Sequence, residues 1–361
     1  MKTKNNRIIT IVASILCVSL VLSAFTACGK KPSSDTPTPA TQAPASDTPT
    51  QEPEPTAVPL KVVADWKFQN DPAYYTGSVD DDTIGFKDLS GNGNDLIVKT
   101  VGNGDQLDIF SWDTVDSAAY GFGSGLKFDN TREKAASVDP YPAAQTEYTG
   151  GYTSGKYLET VKGAPMNSAE FGGGFSVEII FKLSEDLDLT YNRYTGIFSR
   201  QGVLEDQNEP PFSIAITEWD VPSDNDTKLA DRVTWLQLLI MNDYSWLNRE
   251  LRELLLTANE WYHVLFTLDE EGKAYVYLNG KLLFEEWTSF DSIFCTNPNY
   301  SWEVGVGRKS GKGHNNDSKN PNDPKGMIRR LFAGSIAEIR VLNQYISVEE
   351  SLYMTEFNPI K

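Results

Sequence analysis

The stretch Glu260–Glu286, EWYHVLFTLDEEGKAYVYLNGKLLFEE, decides the fold class of this 361-residue chain. In its first half apolar side chains recur at every second position, which places them on one face of a β-strand. That buried set is Tyr262, Val264, Phe266 and Leu268. In its second half two β-rich runs are joined by Asn279-Gly280, the dipeptide that supplies both positive φ values of a type I′ hairpin. The stretch therefore predicts an antiparallel β-sheet.

The period of two recurs elsewhere in the chain. In GFSVEIIFKL five alternate apolar residues share one strand face: Phe175, Val177, Ile179, Phe181 and Leu183. Further strands are predicted at 61–68, 212–219, 233–241, 301–308 and 334–344. One short C-terminal helix is predicted in SVEESLYMTE, where Ser347 and Glu350 form a capping box. Many alternating strands with almost no helix predict an all-β protein, an antiparallel two-sheet sandwich.

The first 60 residues do not fit this pattern. Residues 1–27 combine a basic head, an apolar run and small residues, which is typical of a secretory signal peptide. Ala27-Cys28 at the end of the run resembles the lipobox of bacterial lipoproteins, where the cysteine is acylated, in part with palmitate, and becomes the mature N-terminus. The resemblance implies that Cys28 anchors the protein on the extracellular face of the cell membrane. An ordinary cleaved signal with an incidental cysteine is the alternative.

Residues 28–60 are rich in proline and threonine and hold no aromatic residue. Such a segment buries too little apolar surface to offset its ordering entropy, so it predicts a disordered, extended tether. Residues 61–361 remain for one sandwich domain. With the signal and an acylated Cys28 set aside, only Cys295 is left, and no internal disulfide is expected.

The charge of the chain limits its partners. Its formal net charge is −18, and removal of Lys2, Lys4 and Arg7 with the signal makes it −21. A strongly acidic protein repels nucleic acid and anionic lipid surfaces. We therefore expect no nucleic-acid partner, and contact with the membrane only through the lipid anchor.

Several motifs together resemble the concanavalin A-like, laminin-G-like domains of bacterial surface proteins. They are ADWKF, DLSGNGND, GFSVEIIFKL, EWYHVLFTLDEEGKAYVYLNGKLL and FAGSIAEIRVLNQYISVEE, spread over residues 61–354. The resemblance implies a jelly-roll sandwich with one concave and one convex sheet. Its members include lectins, carbohydrate-binding modules, glycanases, lyases and protein-binding domains, so it is specific for the fold and weak for function.

Candidates for catalysis are few. Retaining jelly-roll glucanases carry E-x-D-x-x-E, and here Glu218 and Asp220 lack the third carboxylate. Arg249–Arg252, RELR, is similar to one motif of jelly-roll alginate lyases, but the other motifs of those enzymes are missing. The two histidines, His263 and His314, have no evident catalytic partner. We predict no catalytic residue; a glycoside hydrolase or polysaccharide lyase of the same fold is the alternative.

A structural calcium ion is the cofactor that the resemblance implies. Calcium takes six to eight oxygen ligands, and acidic turns rich in asparagine supply them. The candidate ligands are Asp88 and Asn92 in the turn DLSGNGND, and Asp317 and Asp323 in a late polar stretch. The alternative is a turn whose Asp and Asn side chains bond only backbone groups.

Carbohydrate binding is the leading functional prediction, because aromatic side chains in polar loops often mark binding surfaces. Long insertions between strands are expected at 102–165, 184–194, 201–211, 220–232, 242–250 and 309–331. The candidate glycan contacts are Asn242, Asp243, Tyr244, Trp246, Arg249, Asn299, Tyr300 and Trp302. A protein-binding, adhesive domain that uses the same loops is the alternative.

Overall fold

The structure is a computed structural model. It describes residues 61–139, 152–189, 194–200, 211–218, 234–241, 246–290, 292–293, 300–309 and 329–352. Contacts within the chain separate two units, Met1–Ala57 and Val58–Lys361, and every described residue belongs to the second. No helix in these ranges is long and apolar enough to cross a bilayer.

Strands make up most of the described chain. In chain order they are β1 (Val62–Lys67), β2 (Tyr75–Thr76), β3 (Gly85–Phe86), β4 (Leu96–Val101), β5 (Phe110–Thr114), β6 (Ser124–Asp129), β7 (Gly155–Thr160), β8 (Phe171–Gly172), β9 (Phe175–Leu183), β10 (Thr195–Arg200), β11 (Phe212–Glu218), β12 (Thr234–Met241), β13 (Trp246–Leu256), β14 (Trp261–Leu268), β15 (Lys273–Leu278), β16 (Lys281–Trp287), β17 (Ser292–Ile293), β18 (Trp302–Val304), β19 (Val306–Lys309), β20 (Arg329–Leu331) and β21 (Ala333–Leu342). Two short helices are α1 (Ser117–Tyr120) and α2 (Arg132–Val138).

Two large antiparallel sheets form a sandwich, which confirms the predicted fold class. The first sheet runs β16-β15-β14-β9-β21-β6-β5, with β1 also paired to β21. The second sheet runs β13-β12-β11-β10-β18-β7-β4-β3-β2. Two-stranded pairs β17-β8 and β19-β20 complete the described strands.

The core lies between the sheets and is rich in aromatic rings. Trp302 of β18 stacks on Phe198 of β10, with ring centroids 5.1 Å apart, and Trp66 of β1 lies 6.1 Å from the same phenylalanine. The alternate residues of β9 and β14 that were predicted to share a face are buried in this cluster. Burial of such rings stabilises the fold, since each removes a large apolar area from water.

Both predicted turns have the backbone angles that their sequences require. In the hairpin between β15 and β16, Asn279 and Gly280 have φ of +49° and +74°. In DLSGNGND, Gly91 and Gly93 have φ of +80° and +81°. Positive φ is strained for most residues and free for glycine, which is why glycine, and asparagine at position 279, occupy these turns.

Part of the outer face of the first sheet is covered by residues 343–352, here called the C-terminal segment. Ile346 of this segment is fully buried, and its N–H lies 3.2 Å from the Ser176 hydroxyl of β9. The same hydroxyl donates to the Gln344 carbonyl over 2.7 Å. The segment contains a 3-10 turn, Val348–Glu350, in which the predicted Ser347–Glu350 capping box is present. Of the predicted helix 347–356, the structure describes this 3-10 turn and Leu352, which is helical, and the remaining residues lie outside the described ranges.

Three of the expected loop insertions contain regular structure, and one of them, 309–331, ends with β20. The range 102–165 holds β5, β6, β7 and both helices, and β6 pairs with β21 in the first sheet. The range 242–250 contains the start of β13. These strands are short or carry polar side chains, so their alternation is weak, and pairing with distant strands stabilises them.

Candidate functional site

The structure describes four of the eight predicted glycan contacts. Asn242, Asp243, Tyr244 and Asn299 lie outside the described residues. Trp246 is the first residue of β13, and Tyr300 is half-buried just before β18. Trp302 has no exposed surface. This corrects the prediction for Trp302, whose ring is enclosed by core aromatic rings and offers no face to a ligand.

Arg249 is committed to a structural contact. Its Nε donates to Glu286 Oε2 over 2.8 Å and its Nη2 donates to Glu286 Oε1 over 2.6 Å. Arg249 lies on β13, the edge strand of the second sheet, and Glu286 lies on β16, the edge strand of the first. The bidentate pair joins the two sheets along one side, because a guanidinium and a carboxylate match in planar geometry.

The predicted calcium turn is organised by its own carboxylate. Asp88 is buried, and its Oδ1 accepts from the N–H groups of Asp65 and Ser90 and from the Ser90 hydroxyl, at 3.1, 3.0 and 2.6 Å. Its Oδ2 accepts from the Asn94 N–H at 3.0 Å. The Asn92 amide donates to the Val62 and Val63 carbonyls of β1. This is the arrangement of the alternative, a turn that bonds backbone groups.

The donor hydrogens at Asp88 Oδ1 disfavour a cation beside that oxygen, whereas Oδ2 accepts one N–H and keeps a lone pair. Calcium binding at Asp88 and Asn92 therefore stays a prediction. Within the described part of the chain, no group of three or more His, Cys, Asp or Glu side chains is placed to hold a metal ion. Asp317 and Asp323 lie outside it, so calcium binding at those two residues stays a prediction.

Most of the residues considered for catalysis lie at strand ends or outside the described ranges. Glu218 ends β11, and Asp220 and His314 lie outside the described residues. His263 is buried on the outer face of the first sheet, with Nε2 3.2 Å from Glu178 Oε1. It is a strand-face residue, as predicted, in contact with a fully buried carboxylate.

Glu178 holds several elements together under the C-terminal segment. Its Oε1 also accepts from the Leu352 N–H over 2.7 Å, and its Oε2 accepts from Arg340 Nε over 2.6 Å. Burial favours the neutral acid, but the hydrogen bond and charge of His263 and the charge of Arg340 outweigh it and lower the pKa of Glu178. Glu178 is therefore held as a carboxylate.

Two carboxylates face each other on the second sheet. Glu159 of β7 and Glu303 of β18 are cross-strand partners, so their side chains point to the same face. Glu303 is paired with Arg329, and Glu159 Oε1 lies 3.1 Å from Lys99 Nζ. Both carboxylates are thus engaged by cations, and Glu303 is almost fully buried.

A surface suited to ligand contact lies on the opposite sheet. It consists of Tyr275 and Tyr277 of β15, Trp287 of β16 and Tyr345 of the C-terminal segment, here called the aromatic strip. Trp287 is 60% exposed and Tyr345 38% exposed. The rings of Tyr275 and Tyr345 meet edge to face at 5.8 Å. These residues place aromatic faces and phenol hydroxyls on one surface.

A charged pair lies within the aromatic strip. Lys273 faces Trp287 across the strands, and its Nζ lies 5.1 Å from the Tyr275 ring centroid and 5.6 Å from that of Trp287. The same ammonium contacts the Glu285 carboxylate, and this hydrogen bond raises the pKa of Lys273. Cation–π contact and the ion pair hold the lysine chain between the two rings.

Sequence reasoning missed the aromatic strip although part of its signal was present. In β15, Ala274, Val276 and Leu278 are buried, so the alternate positions must face outward. The aromatic character of those outward positions was the usable signal. Tyr345 and Tyr275 are 70 residues apart in the sequence, and only a tertiary contact brings their rings together. No local pattern therefore predicts that they are neighbours.

No protein-family model matches the chain, and no curated protein matches it. Solved structures resemble it at low identity. Domain 4 of AbnA, a GH43 extracellular arabinanase from Geobacillus stearothermophilus, in complex with arabinotriose, has 15% identity and a TM-score of 0.46, over 82% of this chain and 98% of that one. The binding domain of Botulinum neurotoxin DC, in complex with rat synaptotagmin II, has 13% identity and a TM-score of 0.41, over 81% of this chain and 50% of that one.

The binding domain of Paraclostridial Mosquitocidal Protein 1 has 11% identity and a TM-score of 0.41, over 82% of this chain and 51% of that one. The chain thus spans about half the length of both toxin structures. These values are too low to transfer a residue role or an activity. The chain itself folds as an antiparallel two-sheet sandwich with an aromatic strip on the outer face of its first sheet.

Proposed function

We propose that the sandwich domain captures carbohydrate on the aromatic strip and does not turn it over. The observation that carries the proposal is Trp287, which is 60% exposed at the end of an edge strand with Tyr275 and Tyr345 on the same face. Large aromatic side chains are normally buried, so an exposed group of them marks a binding surface.

The chemistry of the aromatic strip suits sugars. A pyranose ring presents patches of C–H groups that pack on an aromatic face, while its hydroxyls need hydrogen-bond partners. Tyr275 and Tyr345 offer phenol hydroxyls, and Glu285 is an exposed acceptor. The Tyr345 phenol is protonated and able to donate at neutral pH, and burial raises its pKa further above that range.

We also propose that this domain is displayed outside the cell. Cys28 carries the lipid anchor, and residues 28–60 hold the domain away from the bilayer. Replacing Cys28 with alanine is expected to move the protein from the membrane fraction to the soluble fraction. A C28A protein that stays in the membrane fraction would contradict the anchor.

The binding proposal is tested with the full chain, purified in detergent and passed over immobilised polysaccharides, including chitin, a neutral β-glucan and cell-wall peptidoglycan. Trp287→Ala and Tyr345→Ala are expected to weaken retention by about five- to thirtyfold, the effect of losing 1–2 kcal/mol of contact energy. Ile97→Ala is the matched control, since Ile97 is also 38% exposed but lies on β4 of the second sheet.

Free saccharide should release the retained protein, whereas a protein ligand, with a larger interface, would not be displaced. Equal loss of retention in Ile97→Ala and Trp287→Ala would remove the proposal. Release of reducing ends or unsaturated products over time would instead support the hydrolase or lyase alternative.

A further inference from the structure

The charge of the aromatic strip favours some classes of sugar over others. Three carboxylates, Glu285, Glu349 and Asp269, act electrostatically on its tyrosines, against one ammonium, that of Lys273. The surface is therefore net negative, in a chain whose formal charge is already −18. Acidic polysaccharides are repelled by such a surface, and cationic ligands are attracted.

Lys273 shows where a cation is held. Its ammonium lies over the rings of Tyr275 and Trp287 and contacts Glu285. An ammonium is stabilised there by the negative faces of two rings and by a carboxylate. Lys273 is a flexible side chain at the surface of β15, so it can swing away from the rings when another cation approaches.

From this charge and ring arrangement we infer that the aromatic strip prefers a glycan with free amino groups, that is, a polymer of non-acetylated hexosamine. The inference rests on the proposed function and adds the class of sugar. The pyranose face packs on Trp287, and the ammonium beside it is neutralised by Glu285, while Glu349 adds negative charge near Tyr277 and Tyr345. An N-acetylated sugar keeps the ring contact and loses the charge contact.

The test compares four probes on the full chain in detergent, at a pH where the amine is protonated: a chitosan oligosaccharide, its N-acetylated counterpart of equal length, an oligogalacturonate and a cationic peptide without sugar. The chitosan oligosaccharide is expected to bind about two- to fivefold more tightly than its acetylated counterpart, the range of a surface cation–π contact. The preference should shrink as salt is added, since the charges are exposed.

Variants test which side chains cause the preference for the chitosan oligosaccharide over its acetylated counterpart. Glu285→Gln combined with Glu349→Gln should reduce it to about one, whereas Glu185→Gln, an exposed carboxylate outside the aromatic strip, should leave it unchanged. Lys273→Met should increase it, because a competing ammonium is removed. If Lys273→Met binds chitosan no better than the parent chain does, the amine of the sugar does not displace the Lys273 ammonium, and the inference is overturned.

Other outcomes distinguish failure of the inferred sugar class from failure of the proposed carbohydrate binding. Equal binding of both chito-oligosaccharides, or tighter binding of oligogalacturonate, overturns the sugar class and leaves the proposed function standing. Equally tight binding of the cationic peptide overturns it as well, because charge alone would then explain the affinity. Failure of every polysaccharide, with no effect of Trp287→Ala, removes both.

Discussion

Arg249 and Glu286 close one side of the sandwich. They lie on the edge strands of different sheets, and two parallel hydrogen bonds of 2.8 and 2.6 Å join the guanidinium to the carboxylate. Edge strands expose unpaired backbone groups and invite association with other strands. The ion pair ties two such edges to each other, so Arg249 has a structural contact, and its predicted contact with sugar stays a prediction.

Breaking this pair should have a small, pH-dependent cost. Because the two side chains are 42% and 39% exposed, Arg249→Ala or Glu286→Ala should cost about 0.5 kcal/mol of unfolding free energy. The hydrogen bond from Arg249 lowers the pKa of Glu286, so the contribution is present at neutral pH and lost as pH falls through that lowered pKa. A double-mutant cycle in urea at neutral and acid pH measures it.

Arg249→Ala should also leave polysaccharide retention unchanged. If Arg249→Ala weakened retention as strongly as Trp287→Ala, the glycan contact would lie at the edge between β13 and β16, as first predicted from the sequence.

Glu178 should contribute more to the free energy of unfolding than the Arg249–Glu286 pair does. It is fully buried and bonded to His263, Arg340 and the Leu352 N–H, so Glu178→Ala leaves buried partners unpaired and should cost about 3 kcal/mol or more. Because its pKa is lowered in the fold, its stabilisation is present at neutral pH and is lost as pH falls through the folded pKa. Urea unfolding across acid pH checks both statements.

The isosteric change Glu178→Gln separates charge from packing. It should flatten the acid dependence and speed hydrogen exchange of the Leu352 amide, while Glu185→Gln should change neither. Acid sensitivity that is the same in the parent chain and in Glu178→Gln would show that other carboxylates cause it.

Alanine substitutions of two tryptophans should give opposite results when stability and polysaccharide retention are both measured. Trp302→Ala removes a fully buried ring and should destabilise the fold by about 3–5 kcal/mol. Trp287→Ala removes a ring that is 60% exposed and should change stability by less than about 0.5 kcal/mol while reducing retention on polysaccharide. Thermal melting and retention are measured on both variants. A folded Trp302→Ala protein of parental stability would place that ring outside the core.

Asp88 decides between a metal site and a self-bonded turn. Asp88→Ala should cost about 2 kcal/mol or more, because four donors lose their acceptor. The loss should be equal in EDTA and in excess calcium. If calcium raises the melting temperature of the parent chain but not of Asp88→Ala, the carboxylate is a metal ligand. If it raises both equally, the ion binds elsewhere, and Asp317 and Asp323 are the remaining candidates.

The sequence predictions succeeded where the interactions are local along the chain and failed where they join distant residues. The turn at Asn279-Gly280 and the alternation in β9 and β14 were readable because they depend on backbone angles and neighbouring residues. The strands inside 102–165 were not, because short polar strands are stabilised by partners far along the chain. Trp302 was misassigned for a related reason: a tryptophan beside polar residues has the same local pattern in a loop and in a core strand.

The sequence alone was enough to predict the two-sheet architecture and the tight turns. Tertiary structure alone decided which aromatic side chains reach solvent and which charges meet. Tyr345 joins Tyr275, and Glu178 meets Arg340 and Leu352, only after distant strands have paired. Alternation tells which residues share a face, but the partner that covers that face, or leaves it open, is chosen by the packing of the whole chain.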